Sequence, residues 1–386
     1  MSTLKPSQFL MIPGPTPVPS AVLEILARPP IGHRSTEFSN ILTAVSKDLQ
    51  ALAQTKEDVF ILTGSATLAM EAAISNTISA GDKVLCLVGG AFGERWANIA
   101  QAYGARVERL NYQPGTAVDV EQLADKLKAD KEKTIKAVTV IHNETSTGVL
   151  SDLRQIAHLI RKHGALSLVD AVTSFGAINI PMDEWRVDVM LTGSQKALML
   201  PPGLSMVFFG SRAWAAQATC KSPRFYTDLA RYKKSLANNT VPFTANVSFV
   251  CALQKSLQLM QEEGLAAIQV RHFKLKAMVR AGVRALGLKL FVDDDFASPT
   301  ITAILPPDKI SVGDIRQALK QDFNIVVADG QESLQGKIFR IGHMGYVFER
   351  DILMTLACLH SVLKKLGHDV PAQPAIQAAL QAASNK

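Results

Sequence analysis

The sequence predicts an α/β protein: a mostly parallel sheet between layers of helix, followed by a smaller C-terminal α/β domain. Three observations carry this. Short apolar runs alternate with helical stretches from residue 59 to residue 169. The runs are almost continuously apolar, as in strands buried on both faces, rather than alternating as in a half-solvated sheet. After residue 248 the rhythm changes to long helices separated by a few short strands.

The elements follow in order. Pro13-Gly14-Pro15-Thr16-Pro17-Val18-Pro19 is expected to be an arm, because proline fixes φ and lacks an N–H. Strands are expected at 59–62, 83–88, 137–141 and 166–169, with helices at 65–79, 92–103 and 153–162 between them. Long helices are expected at 248–263 and 268–286. Short strands at 300–305, 325–328 and 338–341 follow, with helices at 312–321 and 349–366. The Ala- and Gln-rich tail, 371–386, suits a short surface helix. The expected divisions are an arm over 1–18, a large domain over 19–263 and a small one over 264–386. The second boundary is set by Gly264, at the turn between two long helices.

Composition narrows the functional classes. Hydrophobic residues make up 47% of the 386, enough for a packed core. The net charge of +7 comes from scattered residues, without a basic run interleaved with aromatics, so nucleic acid is not an expected partner. Cys86, Cys220, Cys251 and Cys358 lie at least 31 residues apart and form no CxxC pair, so no metal site is expected. No membrane span is expected either, since the longest apolar stretch, 197–209, contains Pro201, Pro202 and Gly203. The first ten residues lack the apolar core of a secretory signal, and few scattered cysteines suit a reducing, cytoplasmic setting.

Four stretches could carry chemistry. Thr63-Gly64-Ser65-Ala66-Thr67 joins a strand to a helix. Free N–H groups at a helix start, with hydroxyls beside them, form an anion site; the plainer reading is a helix cap. Asp170 ends an apolar strand at its carboxyl end, where α/β proteins place ligands. A buried carboxylate needs a partner, either a cation such as a pyridinium nitrogen or a capped helix. Lys196 lies 26 residues further on, against Leu198, Met199 and Leu200. Desolvation makes a lysine amine a better nucleophile toward an aldehyde, although most lysines in such settings snorkel to the surface. Arg340, in Phe339-Arg340-Ile341-Gly342-His343, offers a fork for a carboxylate or takes part in an ordinary ion pair.

Together these stretches resemble the class V aminotransferases among the fold-type I pyridoxal-phosphate (PLP) enzymes, and most of all the alanine–glyoxylate and serine–glyoxylate aminotransferases. The likeness runs from Pro13-Gly14-Pro15-Thr16-Pro17 and Gly32-His33-Arg34 to Arg340. It is most specific in His142-Asn143-Glu144-Thr145-Ser146-Thr147-Gly148-Val149 and Gly193-Ser194-Gln195-Lys196-Ala197-Leu198. It implies a seven-stranded, mostly parallel sheet and pyridoxal 5'-phosphate as cofactor. By the same resemblance Lys196 holds the cofactor as a Schiff base and Asp170 pairs with its ring nitrogen. Ser65, Ala66 and Thr67 form the phosphate turn, with Gln195 beside it. Phe92 stacks on the ring, and Thr145 and Val172 line its edge and lower face. Thr240 reaches the phosphate in the neighbouring subunit of a homodimer. Arg340 takes the substrate carboxylate, and Pro13 and Gly14 belong to the segment that closes over it.

The implied reaction moves an amino group from alanine or serine to glyoxylate or another small 2-oxo acid, with ping-pong kinetics. Two positions depart from some relatives: Phe92 stands where they have tryptophan, and Ala237 where they have a phosphate-binding tyrosine, which Tyr226 or Tyr232 would have to replace. Two other readings stand beside this one. A cysteine desulfurase-like lyase would need a reactive thiol, for which Cys220 is the loop-like candidate. Some chains of the family have been labelled hydrogenase subunits, but nickel–iron chemistry needs clustered thiolates.

Overall fold

The structure, a computed structural model, describes residues 7–384. At its centre lies a seven-stranded sheet. In chain order the strands are β1 (Asp58–Thr63), β2 (Lys83–Val88), β3 (Arg106–Asn111), β4 (Ile135–Ile141), β5 (Leu166–Asp170), β6 (Val189–Gly193) and β7 (Leu204–Phe209). Side by side they run β1-β7-β6-β5-β4-β2-β3. Every pairing is parallel except the two that β7 makes, with β1 and β6.

Successive side chains on a strand point to opposite faces, so each strand feeds two cores. On β4, Val138 and Val140 enter one core and Ala137 and Ile141 the other. On β7, Leu204, Met206 and Phe208 go one way and Val207 and Phe209 the other. Burial on both sides explains why these strands read as unbroken apolar runs. The helix Thr36–Ala53 covers one face with Phe38, Leu42, Val45 and Leu49. Ala66–Thr77 covers the other with Ala69, Met70 and Ala73.

A second, antiparallel sheet contains β8 (Lys289–Leu290), β9 (Ile301–Leu305), β10 (Ala328–Asp329) and β11 (Phe339–Gly342), in the order β8-β9-β11-β10. Its core includes Ile304, Phe339 and Ile341, with Leu275 and Val279 from the helix Leu265–Ala285 and Leu356 from Glu349–Lys365. The expected α/β architecture, with a larger mostly parallel sheet and a smaller C-terminal unit, is the one observed. Gly264, at φ +83°, separates the helices Val247–Glu263 and Leu265–Ala285.

Three local expectations change. The 325–328 strand is two strands: Ile325–Val326 pairs with Phe9–Leu10, and Ala328–Asp329 pairs with β11. The arm is thus partly a strand, running parallel to Ile325–Val326 and continuing with Met11 N–H to the Val326 carbonyl (2.9 Å). The tail helix Ala372–Ser384 buries Ala375 and Ala379 in the second sheet's core rather than lying wholly on the surface.

Candidate active site

The ends of the parallel strands set the site, because loops leaving the carboxyl edge converge where strand order reverses. The turn after β1, the loop after β4, the end of β5 and the turn after β6 surround one cavity of about 210 Å³. Its walls include Ser65, Ala66, Thr67, Phe92, Thr145, Asp170, Val172, Gln195 and Lys196. Nine residues singled out from the sequence therefore meet in one place.

Asp170 is 5% exposed, and its Oδ1 accepts the Val172 N–H at 2.8 Å. Burial raises its pKa to about 7; the Glu144 charge adds to the rise, while the Val172 N–H, Lys196 and Arg95 oppose it. Lys196 is shifted down to about 8, chiefly by burial, with Arg340 and Arg95 adding to the effect and Asp170 opposing it. The two share the cavity but form no ion pair. The Lys196 amine instead donates to the Pro13 carbonyl at 2.7 Å. The arm is fixed there by Thr16, whose N–H donates to the Gln195 carbonyl (3.2 Å) and whose hydroxyl donates to the Lys196 carbonyl (2.9 Å). At Gly14 (φ +140°) a Cβ would come within 2.4 Å of the Lys196 amine, so a side chain there would strain the backbone and push the lysine aside.

In another wall, Ser65 caps the helix Ala66–Thr77 by position but makes no side-chain cap bond; its carbonyl takes the Leu68 N–H (2.9 Å), and the N–H groups of Ala66 and Thr67 at the helix start face a ligand site. Gln195 Oε1 and Asn143 Oδ1, both in wall residues, are buried with no partner. Buried orphans of this kind point to a group that the protein itself does not supply. Phe92 opens the helix Ala91–Ala102, with the Arg95 guanidinium 4.6 Å from its ring centroid. Thr145 and Thr173 hydroxyls lie 3.0 Å apart, and Asn143 Nδ2 donates to Thr173 Oγ1 at 2.8 Å.

Arg340 on β11 reaches this region from the second sheet. Its Nη1 donates to the Thr145 carbonyl at 2.8 Å. Burial lowers its pKa to about 10, while Glu144 and Asp329 act the other way. Thr240 lies outside the cavity, its N–H on the Ser235 carbonyl (3.1 Å). Neither tyrosine lines the cavity: the Tyr226 hydroxyl reaches the Thr63 carbonyl, and Tyr232 packs on Phe60. Cys220 lies elsewhere too, its thiol donating to the Ser75 and Ile78 carbonyls.

Sequence reasoning missed two participants. Arg95, one helical turn from Phe92, brings a cation beside Thr67. Glu144 is buried, with its carboxylate accepting from the N–H groups of Gly93 and Ser146. Burial raises its pKa. A signal existed for each: the i, i+3 spacing of Phe92 and Arg95, and an acid inside the 142–149 segment.

A family model for "Aminotransferase class-V" matches residues 14–348. The chain belongs to the class-V aminotransferases. Among curated relatives, "Soluble hydrogenase 42 kDa subunit" of Anabaena cylindrica is 48% identical, covering 94% of each chain. "Serine--glyoxylate aminotransferase" of Arabidopsis thaliana is 35% identical, over 94% of this chain and 91% of the relative. Among solved structures, alanine–glyoxylate aminotransferase from Nostoc sp. superposes with a TM-score of 0.89 at 31% identity, covering 94% of this chain and 97% of the other. The family resemblance expected from the sequence is therefore borne out, including the hydrogenase label on some members. Class-V aminotransferases are PLP enzymes, and the family implies amino acid and 2-oxo acid substrates. Among the described residues there is no group of three or more His, Cys, Asp or Glu placed to hold a metal ion. No described helix is long and apolar enough to cross a membrane.

Proposed function

We propose that this class-V aminotransferase binds pyridoxal 5'-phosphate in the cavity and transfers an amino group from alanine or serine to glyoxylate or another small 2-oxo acid, in ping-pong fashion. The observation that carries the proposal is the unpaired arrangement of Lys196 and Asp170, facing one cavity beside an uncapped helix start and the orphaned Gln195 Oε1. The donor set fits the cofactor: an amine for its carbonyl, a carboxylate for its ring nitrogen, open N–H groups for its phosphate and an aromatic ring to stack.

When bound, the conjugated ring supplies an electron sink for a carbanion at the substrate Cα. The chain does the rest. Lys196 Nζ, with a lowered pKa, would take the Cα proton and return it to the cofactor's former carbonyl carbon, two bonds further on. Asp170 keeps a proton at the ring nitrogen; its own raised pKa reflects a buried charge awaiting a cation. Ser65, Ala66, Thr67 and Gln195 hold the phosphate, Phe92 stacks, and Thr145 and Val172 hold the ring's edge and lower face. Arg340 takes the substrate carboxylate, and Pro13 and Gly14 limit the space above Lys196, so small substrates are favoured. In the homodimer belonging to this proposal, Thr240 completes the partner's phosphate site. The limits 1–18, 19–263 and 264–386 for arm, large and small domains, and a cytoplasmic location, belong to the same reading.

The test is an absorbance spectrum of the purified protein, before and after single amino acids are added without any oxo acid. Conversion of the bound cofactor's visible band by alanine or serine supports the proposal and names the donor. No such band after cofactor is supplied, or no response to either amino acid, overturns it.

A further inference from the structure

Arg340 has an arrangement that its assigned role does not explain. It is 5% exposed, yet no carboxylate of the described chain pairs with it. The carboxylate of Asp329, the residue whose carbonyl faces Arg340, is already occupied: its Oδ2 meets Arg316 Nη1 at 2.9 Å and its Oδ1 accepts the Gly336 N–H at 2.9 Å. Only the Asp329 main-chain carbonyl faces Arg340, accepting from Nε (2.8 Å) and Nη2 (2.5 Å). Nη1 donates to the Thr145 carbonyl (2.8 Å) and to Gln331 Oε1 (3.0 Å).

A carboxylate takes two parallel hydrogen bonds from one edge of a guanidinium. The edge shared by Nε and Nη2 is closed by the Asp329 carbonyl. The edge shared by Nη1 and Nη2 opens only if one acceptor leaves Nη1. The Thr145 carbonyl is main chain, in a segment pinned by Asn143 and Thr173. Gln331 holds on by a side chain. Its backbone stays where it is, in the loop between β10 and β11, where the Gln331 carbonyl accepts from Leu334 N–H (3.0 Å) and Gly330 N–H reaches the Ile338 carbonyl (2.9 Å).

We propose that Gln331 is an internal stand-in for the substrate carboxylate: its amide oxygen occupies the Arg340 position that the substrate takes, and yields to it. This rests on the assignment of Arg340 above. An amide oxygen suits the task because it satisfies a buried donor without neutralising the cation. A carboxylate, which adds the attraction of opposite charges and a second parallel hydrogen bond, then displaces it. Gln331 thereby sets the affinity of the site for carboxylates without touching the reacting atoms. It is a positioning and specificity residue.

The experiment uses the cofactor-loaded enzyme and propionate, a carboxylate that cannot react. Its affinity is read by calorimetry and as competitive inhibition, alongside KM and kcat for the amino donor. Gln331→Glu, nearly the same size, supplies a built-in carboxylate. It is expected to weaken propionate and raise KM by at least about tenfold, with kcat changed much less and the melting temperature unmoved. Gln331→Ala is expected to bind propionate as tightly as wild type or more tightly. A change below about threefold in Gln331→Glu overturns the proposal. So does a loss of threefold or more in Gln331→Ala, which would make the amide a direct ligand of the substrate. Arg340→Gln separates the two ideas. If it keeps wild-type propionate affinity, the assignment of Arg340 itself fails. If it loses affinity while Gln331→Glu does not, only the role of Gln331 fails.

Discussion

Two arginines among the described residues are buried, and their surroundings differ. Arg280, 3% exposed, meets the Asp294 carboxylate at 2.6 Å and the Val292 carbonyl at 2.7 Å. Arg340, 5% exposed, meets only uncharged oxygens. Burial lowers the pKa of both. At Arg280 the chain supplies the counter-charge, so the charge is structural. At Arg340 it withholds one, which leaves a place for a charge from outside. The cavity repeats the second pattern, for buried Asp170 and half-buried Lys196 do not pair.

If withheld pairing marks function, the largest effect comes from Lys196. Lys196→Ala should lower kcat by at least about 10⁴-fold, and a variant that kept wild-type turnover would break the comparison. Next is the exchange between the arginines. Arg340→Gln should cost about 10²–10³-fold in kcat/KM with little change in melting temperature. Arg280→Gln should do the reverse: a loss of about 1–3 kcal/mol in denaturant titration, kept modest by the 60% exposure of Asp294. Its kcat/KM should stay within about twofold.

Asp170 gives a smaller effect with a definite sign. Its folded pKa is raised, so its charge works against folding; the penalty grows as pH rises from about 4 through about 7. Asp170→Asn should therefore stabilise the cofactor-free protein at pH 8 by about 1–3 kcal/mol and by little at pH 4, while abolishing turnover. Equal stability changes at both pH values would contradict this. The smallest effect is kinetic. Lys196 must be uncharged to attack the cofactor's carbonyl, so cofactor uptake by the free protein, followed by absorbance, should speed up with pH and level off above about 8. A flat profile between pH 6 and 9 would remove the lowered pKa from the account.

Much of the site could be read from residue order, because its parts lie at strand ends. Asp170 closes an apolar run, and Lys196 follows a small polar turn. Arg340 needed the family resemblance, since an arginine in a strand looks the same whether or not an acid waits opposite. Arg95 and Glu144 left local signals, but their roles rest on contacts with Thr67 and Gly93, dozens of residues away; Gln331 lies only nine residues from Arg340, yet nothing in the loop's pattern says that its amide turns toward the guanidinium. Three strands of the main sheet were not placed: β3, whose residues Arg106-Val107-Glu108-Arg109-Leu110-Asn111 lie at the sheet's edge and are only partly buried, and β6 and β7, which are wholly buried apolar runs. The helix Thr36–Ala53 was legible and overlooked: the Ser35 hydroxyl accepts the Phe38 N–H, and the apolar spacing is helical. The Ile325–Val326 and Ala328–Asp329 split was not legible, because each half answers to a different distant partner.

The arm joins two parts of the molecule by a very short piece of backbone. Leu10 is zipped to Val326 beside the second sheet, and three residues later the Pro13 carbonyl sits on the Lys196 amine. A peptide this short cannot stretch and has almost no slack. It behaves as a tie rod: if the second sheet swings outward by more than an ångström or two, the carbonyl must leave the amine, and when it swings back the carbonyl returns. Met11 tightens the link, its N–H on the Val326 carbonyl and its own carbonyl taking the Gly342 N–H, so only Ile12 stands between the second sheet and Pro13.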